Sequence, residues 1–116
     1  MPEMNIHKNS VSGLFSGTSV ISGNDPVLIV SANTSVSFFC ITDIIIGAAV
    51  STNVDITGGG SVVIDGIRVS SDPSPQTEVI SLNSPISVSS STGIYATTET
   101  DPGGLVSVTI SGYSVS

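Results

Sequence analysis

Apolar side chains recur at alternate positions in short runs along this chain, and clusters of turn-forming residues separate the runs at a spacing of roughly 8–12 residues. Val106, Val108 and Ile110 alternate with Ser107, Thr109 and Ser111, and Val54 and Ile56 alternate with Asn53 and Asp55. A two-residue period places alternate side chains on one face of a strand, whereas a helix needs a period near 3.6, which no stretch longer than a turn shows. The punctuation is equally plain in Ser22-Gly23-Asn24-Asp25-Pro26, Ser71-Asp72-Pro73-Ser74-Pro75, Asn83-Ser84-Pro85 and Asp101-Pro102-Gly103-Gly104. Glycine and asparagine tolerate positive φ there, and proline presets φ and removes a ladder donor. Composition agrees: Val, Ile and Thr make up 40 of the 116 residues, while Leu and Ala contribute four each. β-Branched side chains lose rotamer freedom in helices and pack well on a pleated surface.

The pattern predicts about ten short strands. Val11–Phe15 and Thr18–Ile21 are separated by Ser16-Gly17, and Val27–Ser31 follows the first turn. Thr34–Ile41 precedes the most apolar run, Asp43–Val50. Thr52–Thr57 and Ser61–Val69 flank the triple glycine Gly58-Gly59-Gly60, and an apolar phase change at Gly66 predicts a β-bulge. Thr77–Leu82, Ile86–Val88, Ile94–Thr98 and a last strand from Val106 complete the series, with a second phase change expected after Gly112. Short antiparallel strands at this spacing predict a single all-β domain, a β-sandwich or jelly roll, over residues 11–116. Residues 1–10 lack the alternation and hold both methionines, His7 and Lys8, so they are expected to form an N-terminal arm.

Charge narrows the function classes. The formal net charge is −7, and Lys8 and Arg68 are the only cations. Neutralising nucleic-acid phosphates, or docking on an anionic membrane, takes several Lys or Arg on one face, so neither partner is expected. The longest unbroken apolar stretch, Ile44 to Val50, is far short of the roughly 20 residues of a spanning helix, and the start lacks a secretory-signal pattern. Cys40 is the single cysteine, so no intramolecular disulfide can form, and its apolar setting reads as core rather than as a nucleophile.

Candidate catalytic chemistry is thin, and no enzyme activity and no cofactor are expected. His7 stands alone in the arm with no Gly-x-Ser-x-Gly elbow in the chain, and the triple glycine lacks the Gly-Lys-Ser/Thr ending of a phosphate loop. Asp43, Asp55 and Asp65 are spaced 12 and 10 residues apart, unlike a calcium loop, so no metal site is assigned. Carbohydrate platforms need aromatics, and the chain has five, Phe15, Phe38, Phe39, Tyr95 and Tyr113.

What remains is an assembly role. A mean hydropathy of +0.45 is high for a chain with no spanning segment, and aliphatic surface beyond one small core is normally buried between subunits. Strand edges almost without lysine are available for pairing with another chain. The aliphatic run Ile44, Ile45 and Ile46, with Arg68, is the expected subunit interface, Arg outperforming Lys there through bidentate geometry. Met4, Ile6, His7 and Lys8 are the expected anchoring residues of the arm.

Small, acidic, lysine-poor domains rich in Ser, Thr, Val and Ile resemble bacteriophage virion components, and over residues 11–116 the size, composition and strand pattern resemble the head decoration, or capsid cement, proteins. That resemblance implies a structural protein made in the host cytoplasm and placed on the outer capsid surface. It further implies a homotrimer that binds the major capsid protein and clamps adjacent subunits. A tail-fibre, spike or baseplate module binding a host receptor or glycan is the alternative, and a small carbohydrate-binding module a third.

Overall fold

The computed structural model describes residues 11–23, 25–58, 61–69, 76–99 and 102–116. The arm and its four anchoring candidates, Met4, Ile6, His7 and Lys8, lie outside them. Eight strands run in chain order: β1 (Val11–Ile21), β2 (Val27–Val30), β3 (Phe38–Ala48), β4 (Thr52–Gly58), β5 (Ser61–Val69), β6 (Gln76–Ser89), β7 (Ile94–Thr98) and β8 (Val106–Val115). They form two four-stranded sheets, β1-β8-β3-β6 and β2-β7-β4-β5, in which every pair is antiparallel.

The ladder explains the topology. β4 pairs with β5, β3 with β6, β2 with β7 and β1 with β8, so the chain is one long antiparallel ribbon folded back between β4 and β5. Rolling that ribbon brings β8 against β3 and β7 against β4, and the single ribbon becomes two facing sheets. This is a jelly roll.

Each strand sends one side-chain row inward. Ile44, Ile46, Val106, Val108 and Ile110 of one sheet meet Val54, Ile56, Ile94 and Ala96 of the other, and all of these are fully buried. Phe15 and Phe39 fill one end with ring centroids 5.0 Å apart and planes tilted by 54°, an arrangement that aromatic quadrupoles favour. Thr98, Ser90 and Ser114 are buried but satisfied, donating to the carbonyls of Gly23 (3.2 Å), Val36 (2.5 Å) and Gly13 (3.4 Å). The Thr52 hydroxyl is buried without a hydrogen-bond partner.

Several expected breaks turn out to be irregularities inside continuous strands. Ser16-Gly17 does not interrupt β1, which stays in register with β8 from Gly13 to Ile21. Gly17 is there for close approach: a Cβ would collide with the Ile29 carbonyl oxygen and lie 3.1 Å from Val30 Cγ2. Thr34–Ile41 and Asp43–Val50 are replaced by one strand, β3, whose register slips at Thr42, moving the buried positions from Phe39 and Ile41 to Ile44, Ile46 and Ala48. Likewise β6 runs through Asn83-Ser84-Pro85, and Leu82–Pro85 form an excursion between the pairs Ile41↔Ile86 and Asp43↔Ser81. On an edge strand such an excursion tolerates the missing proline donor.

The bulge at Gly66 is present, with φ +70° and an extra residue on β5 between the pairs Val54↔Ile67 and Ile56↔Ile64. A second slip next to it separates Ile64, opposite buried Ile56, from Val62, opposite Thr57, so these two do not share a face as the alternation suggests. The phase change after Gly112 does not occur. Ser114 continues the inward row of β8, and Tyr113 points outward.

Irregularity also settles the edges. β5 carries two slips and β6 its four-residue excursion, while β1 and β2 close on each other, where Ser19 donates to the Leu28 carbonyl at 2.8 Å. The lysine-free edges expected to recruit another chain are therefore interrupted or covered.

Two substitutions test the packing. Gly17→Ala pushes β1 and β2 apart and should lower unfolding free energy in denaturant titration by about 1–3 kcal/mol. Thr52→Val removes a buried hydroxyl with no partner and should raise stability by about 1 kcal/mol, read as a higher denaturation midpoint at unchanged slope.

Candidate functional site

With the inward rows committed to the core, the outer rows of the two sheets are what the molecule offers to anything else. On β1-β8-β3-β6 those rows are dominated by hydroxyls. Thr18 and Thr109 share a hydrogen bond of 2.9 Å, Ser107 donates to the Gly47 carbonyl at 3.3 Å, and Asp43 accepts from Thr42 at 2.8 Å and from Ser81 at 3.0 Å. Exposed aliphatics are scattered among them: Leu14 and Val20 on β1, and the cross-strand pair Ile45 and Val79.

The outer face of β2-β7-β4-β5 is organised differently. One register row runs Leu28, Tyr95, Thr57, Val62, from one edge strand to the other. Leu28, Tyr95 and Val62 are all exposed, and Tyr95 and Val62 border a shallow depression of about 540 Å³ with Pro26, Thr57 and Thr92. Gly93 makes room for this arrangement, since a Cβ there would meet Leu28 Cδ1 at 2.5 Å.

The other end of the same face is charged. Asp55, Asp65 and Glu99 each bring a carboxylate oxygen within 4.8 Å of the other two. The bulge builds this group: Gly66, in the left-handed region, turns its N–H onto Asp55 Oδ1 at 2.7 Å and leaves Asp65 beside it. Its hydrogen bond to Asp55, and then the Asp55 charge, hold the Asp65 carboxyl above its ordinary value of 3.8. Next along the face lies the row Glu99, Asn53, Arg68, in which the Glu99 N–H donates to the Asn53 carbonyl and Asn53 pairs with Arg68. Arg68 is exposed and forms no ion pair among the described residues.

These positions redistribute the residues singled out in the sequence. Ile44 and Ile46 are fully buried in the chain's own core and have no surface left for a subunit contact, which corrects that part of the expected interface. Strand alternation sends only Ile45 of the three outward. Arg68 does lie on an outer face, but on the opposite sheet from Ile45. Asp55 and Asp65 come together as sequence spacing alone does not suggest, whereas Asp43 sits on the other sheet with both oxygens engaged. Glu99 was missed, because only the pairing of β7 with β4 carries it to Asp55. Three carboxylates offer three oxygens towards a cation, about half of what calcium takes. Cys40 is half-buried opposite Tyr113, and this neighbour, with burial second, raises the Tyr113 hydroxyl above the usual phenol range. Tyr95 and Tyr113 point outward from opposite sheets and cannot share one sugar platform.

No protein-family model and no curated protein sequence matches the chain. Among solved structures, the major capsid protein P2 of bacteriophage PM2 superposes with a TM-score of 0.51 at 10% identity, over 89% of this chain and 44% of that one. This chain thus spans under half the length of that capsid protein. The nucleoplasmin-like N-terminal domain of Drosophila FKBP39 gives 0.49 at 12% identity over 90% and 92% of the two chains. The vertex protein P5 of PRD1 gives 0.46 at 11% identity over 91% and 99%. The likeness to P2 is one of fold. The chain is an all-β jelly-roll domain, and this architecture is shared with a viral capsid protein.

The acidic group supplies a pH test. A carboxyl raised in the folded state binds its proton more tightly there than in the unfolded chain, so stability falls as pH rises from 3.8 through the raised value. Asp65→Asn removes the repulsion. Its melting temperature should exceed the parent's at pH 7, and the gap should close once the pH drops below the ordinary carboxylate range.

Proposed function

We propose that the chain is a structural virion protein, a small decoration or cement protein that binds the outside of a phage head and ties neighbouring major capsid subunits together. The observation that carries this reading is a jelly roll with a capsid-protein architecture whose outer faces both keep exposed aliphatic side chains. A small domain that leaves Leu14, Val20, Leu28, Val62 and Val79 more than two-fifths exposed, with Arg68 the single cation among its described residues, suits broad contacts with several neighbours. The acidic balance supports the same role, because a net charge of −7 on the outer surface keeps assembled particles dispersed. In this reading residues 1–10, with Met4, Ile6, His7 and Lys8, anchor the domain to the capsid, and the protein is made in the host cytoplasm before it joins the particle.

The test uses particles of the virus that encodes the chain. Quantitative mass spectrometry of purified virions should find it at a copy number comparable to the major capsid protein, and deleting residues 1–10 should lower that occupancy while the β circular-dichroism spectrum stays unchanged. A few copies confined to tails would establish the fibre or spike alternative instead, and absence from virions would end the reading.

A further inference from the structure

The outer face of β2-β7-β4-β5 holds an apolar depression and, one same-face step along the strands, a group of carboxylates. Tyr95, Thr57 and Val62 border the depression from three neighbouring strands. Asp55 stands two residues before Thr57 on β4, beside Asp65 and Glu99, so about 7 Å separates depression from carboxylates. An occupant that fills the one and neutralises the other needs an apolar side chain and a cation at that spacing. An extended segment lying along the strands supplies them from residues two apart in sequence.

This chain has one such pair. Lys8 and Arg68 are its only cations, and Arg68 already belongs to the face itself. Lys8, in the arm, stands two residues after Ile6, which stands two after Met4. With Lys8 at the carboxylates, Ile6 falls on the depression and Met4 towards Gly93 at its far end.

The arm cannot come from the same copy. Val11 pairs with Val115, which pairs with Phe38, and a Cβ on Gly58 would lie 3.3 Å from Val88, the partner of Phe39. The arm therefore leaves the roll at the Gly58 end. Asp55 is three residues further along β4, roughly 10 Å, and on the other sheet. β1 closes on β2, which is two strands from β4, and stacked sheets lie about 10 Å apart. The three residues from Val11 back to Lys8 span at most about 10 Å, too little to round the edge and travel that far along the face.

We propose that the outer face of β2-β7-β4-β5 receives the arm of a second copy of this chain, with Ile6 seated between Tyr95 and Val62 and Lys8 placed at Asp55, Asp65 and Glu99. Each copy then offers one arm and one face, a head-to-tail contact that forms rings when the rotation between copies closes. The contact is small, so it forms at micromolar or higher concentration. The inference concerns the free protein and does not rest on the capsid reading. On a particle, capsid and sheet face compete for the same arm.

Sedimentation equilibrium of the full chain in EDTA, at micromolar to sub-millimolar concentration, reads it directly. The parent should associate reversibly above its 11.7 kDa chain mass. An arm variant, Ile6→Asp with Lys8→Glu, and a face variant, Val62→Glu, should each weaken association by roughly tenfold or more. Mixed in equal amounts, the two should form a species of twice the chain mass, because one retains the arm and the other the face. Misfolding of either variant cannot produce that result, and Tyr95→Ser provides a second face variant should Val62→Glu fail to fold. Val79→Glu, on the opposite sheet, should associate like the parent. A parent that stays monomeric throughout the range, an arm variant that associates as well as the parent, or mixtures with both face variants no larger than their components would overturn the inference. None of these outcomes bears on whether the protein is found in virions, so the two readings fail separately.

Discussion

Pairing along a single folded ribbon constrains everything else in this molecule. β4 and β5 meet as a hairpin, β3 pairs with β6, β2 with β7 and β1 with β8, and the rolled ribbon turns one side of every strand inward. The core is then a consequence of period-two alternation: Val54 and Ile56 face Ile44 and Ile46 across a space with no room for a charged side chain. Because alternation delivers a whole row at a time, it delivers the outward rows just as rigidly. The surface chemistry of each sheet is fixed by the same register that fixes the core.

That coupling explains which features could be read from the sequence. The alternations in β4 and in the first half of β8 were legible, as were the bounds of β7, Ile94–Thr98, and the bulge at Gly66, because each depends on neighbouring residues and turn chemistry. Ser16-Gly17, Thr42 and Asn83–Pro85 look like strand ends in one dimension. They lie within strands because a partner ladder holds the backbone extended on either side, and the disturbance is confined to a close approach or a slip of register. The run Ile44, Ile45, Ile46 misleads for a related reason. Contiguous apolar residues suggest a shared surface, yet consecutive side chains on a strand point in opposite directions, so two became core and one became surface. Glu99 was invisible as a neighbour of Asp55, since their proximity exists only once β7 is paired with β4.

The electrostatics follow from scarcity. With nine acidic and two basic residues, most carboxylates cannot have an ion-pair partner, and the fold deals with them in two ways. Asp43 is absorbed by hydroxyl donors from Thr42 and Ser81, which costs the surface nothing in net attraction for a neighbour. Asp55, Asp65 and Glu99 are crowded together by a bulge, where a hydrogen bond to Asp55, and then the Asp55 charge, raise the Asp65 proton affinity. Crowding like charges on an exposed face is unfavourable for the isolated domain, and it is relieved only by protonation or by positive charge brought from outside.

Edges and faces divide the remaining work. β-Proteins commonly protect their edges with lysine, and this chain has almost none. Its exposed edges are instead broken by two slips on β5 and by the excursion of Leu82–Pro85 on β6, where Pro85 withholds a ladder donor, while β1 and β2 cover one another. Continuation of either sheet into a neighbour by strand addition is therefore opposed at each side by the backbone itself. Side-chain contact across the flat outer rows is not opposed in this way, and those rows hold the exposed Leu28, Tyr95 and Val62 on one sheet and Ile45 and Val79 on the other. Irregular backbone at the edges disfavours open-ended sheet growth, and the exposed aliphatic side chains leave the two outer faces as the surfaces open to contact.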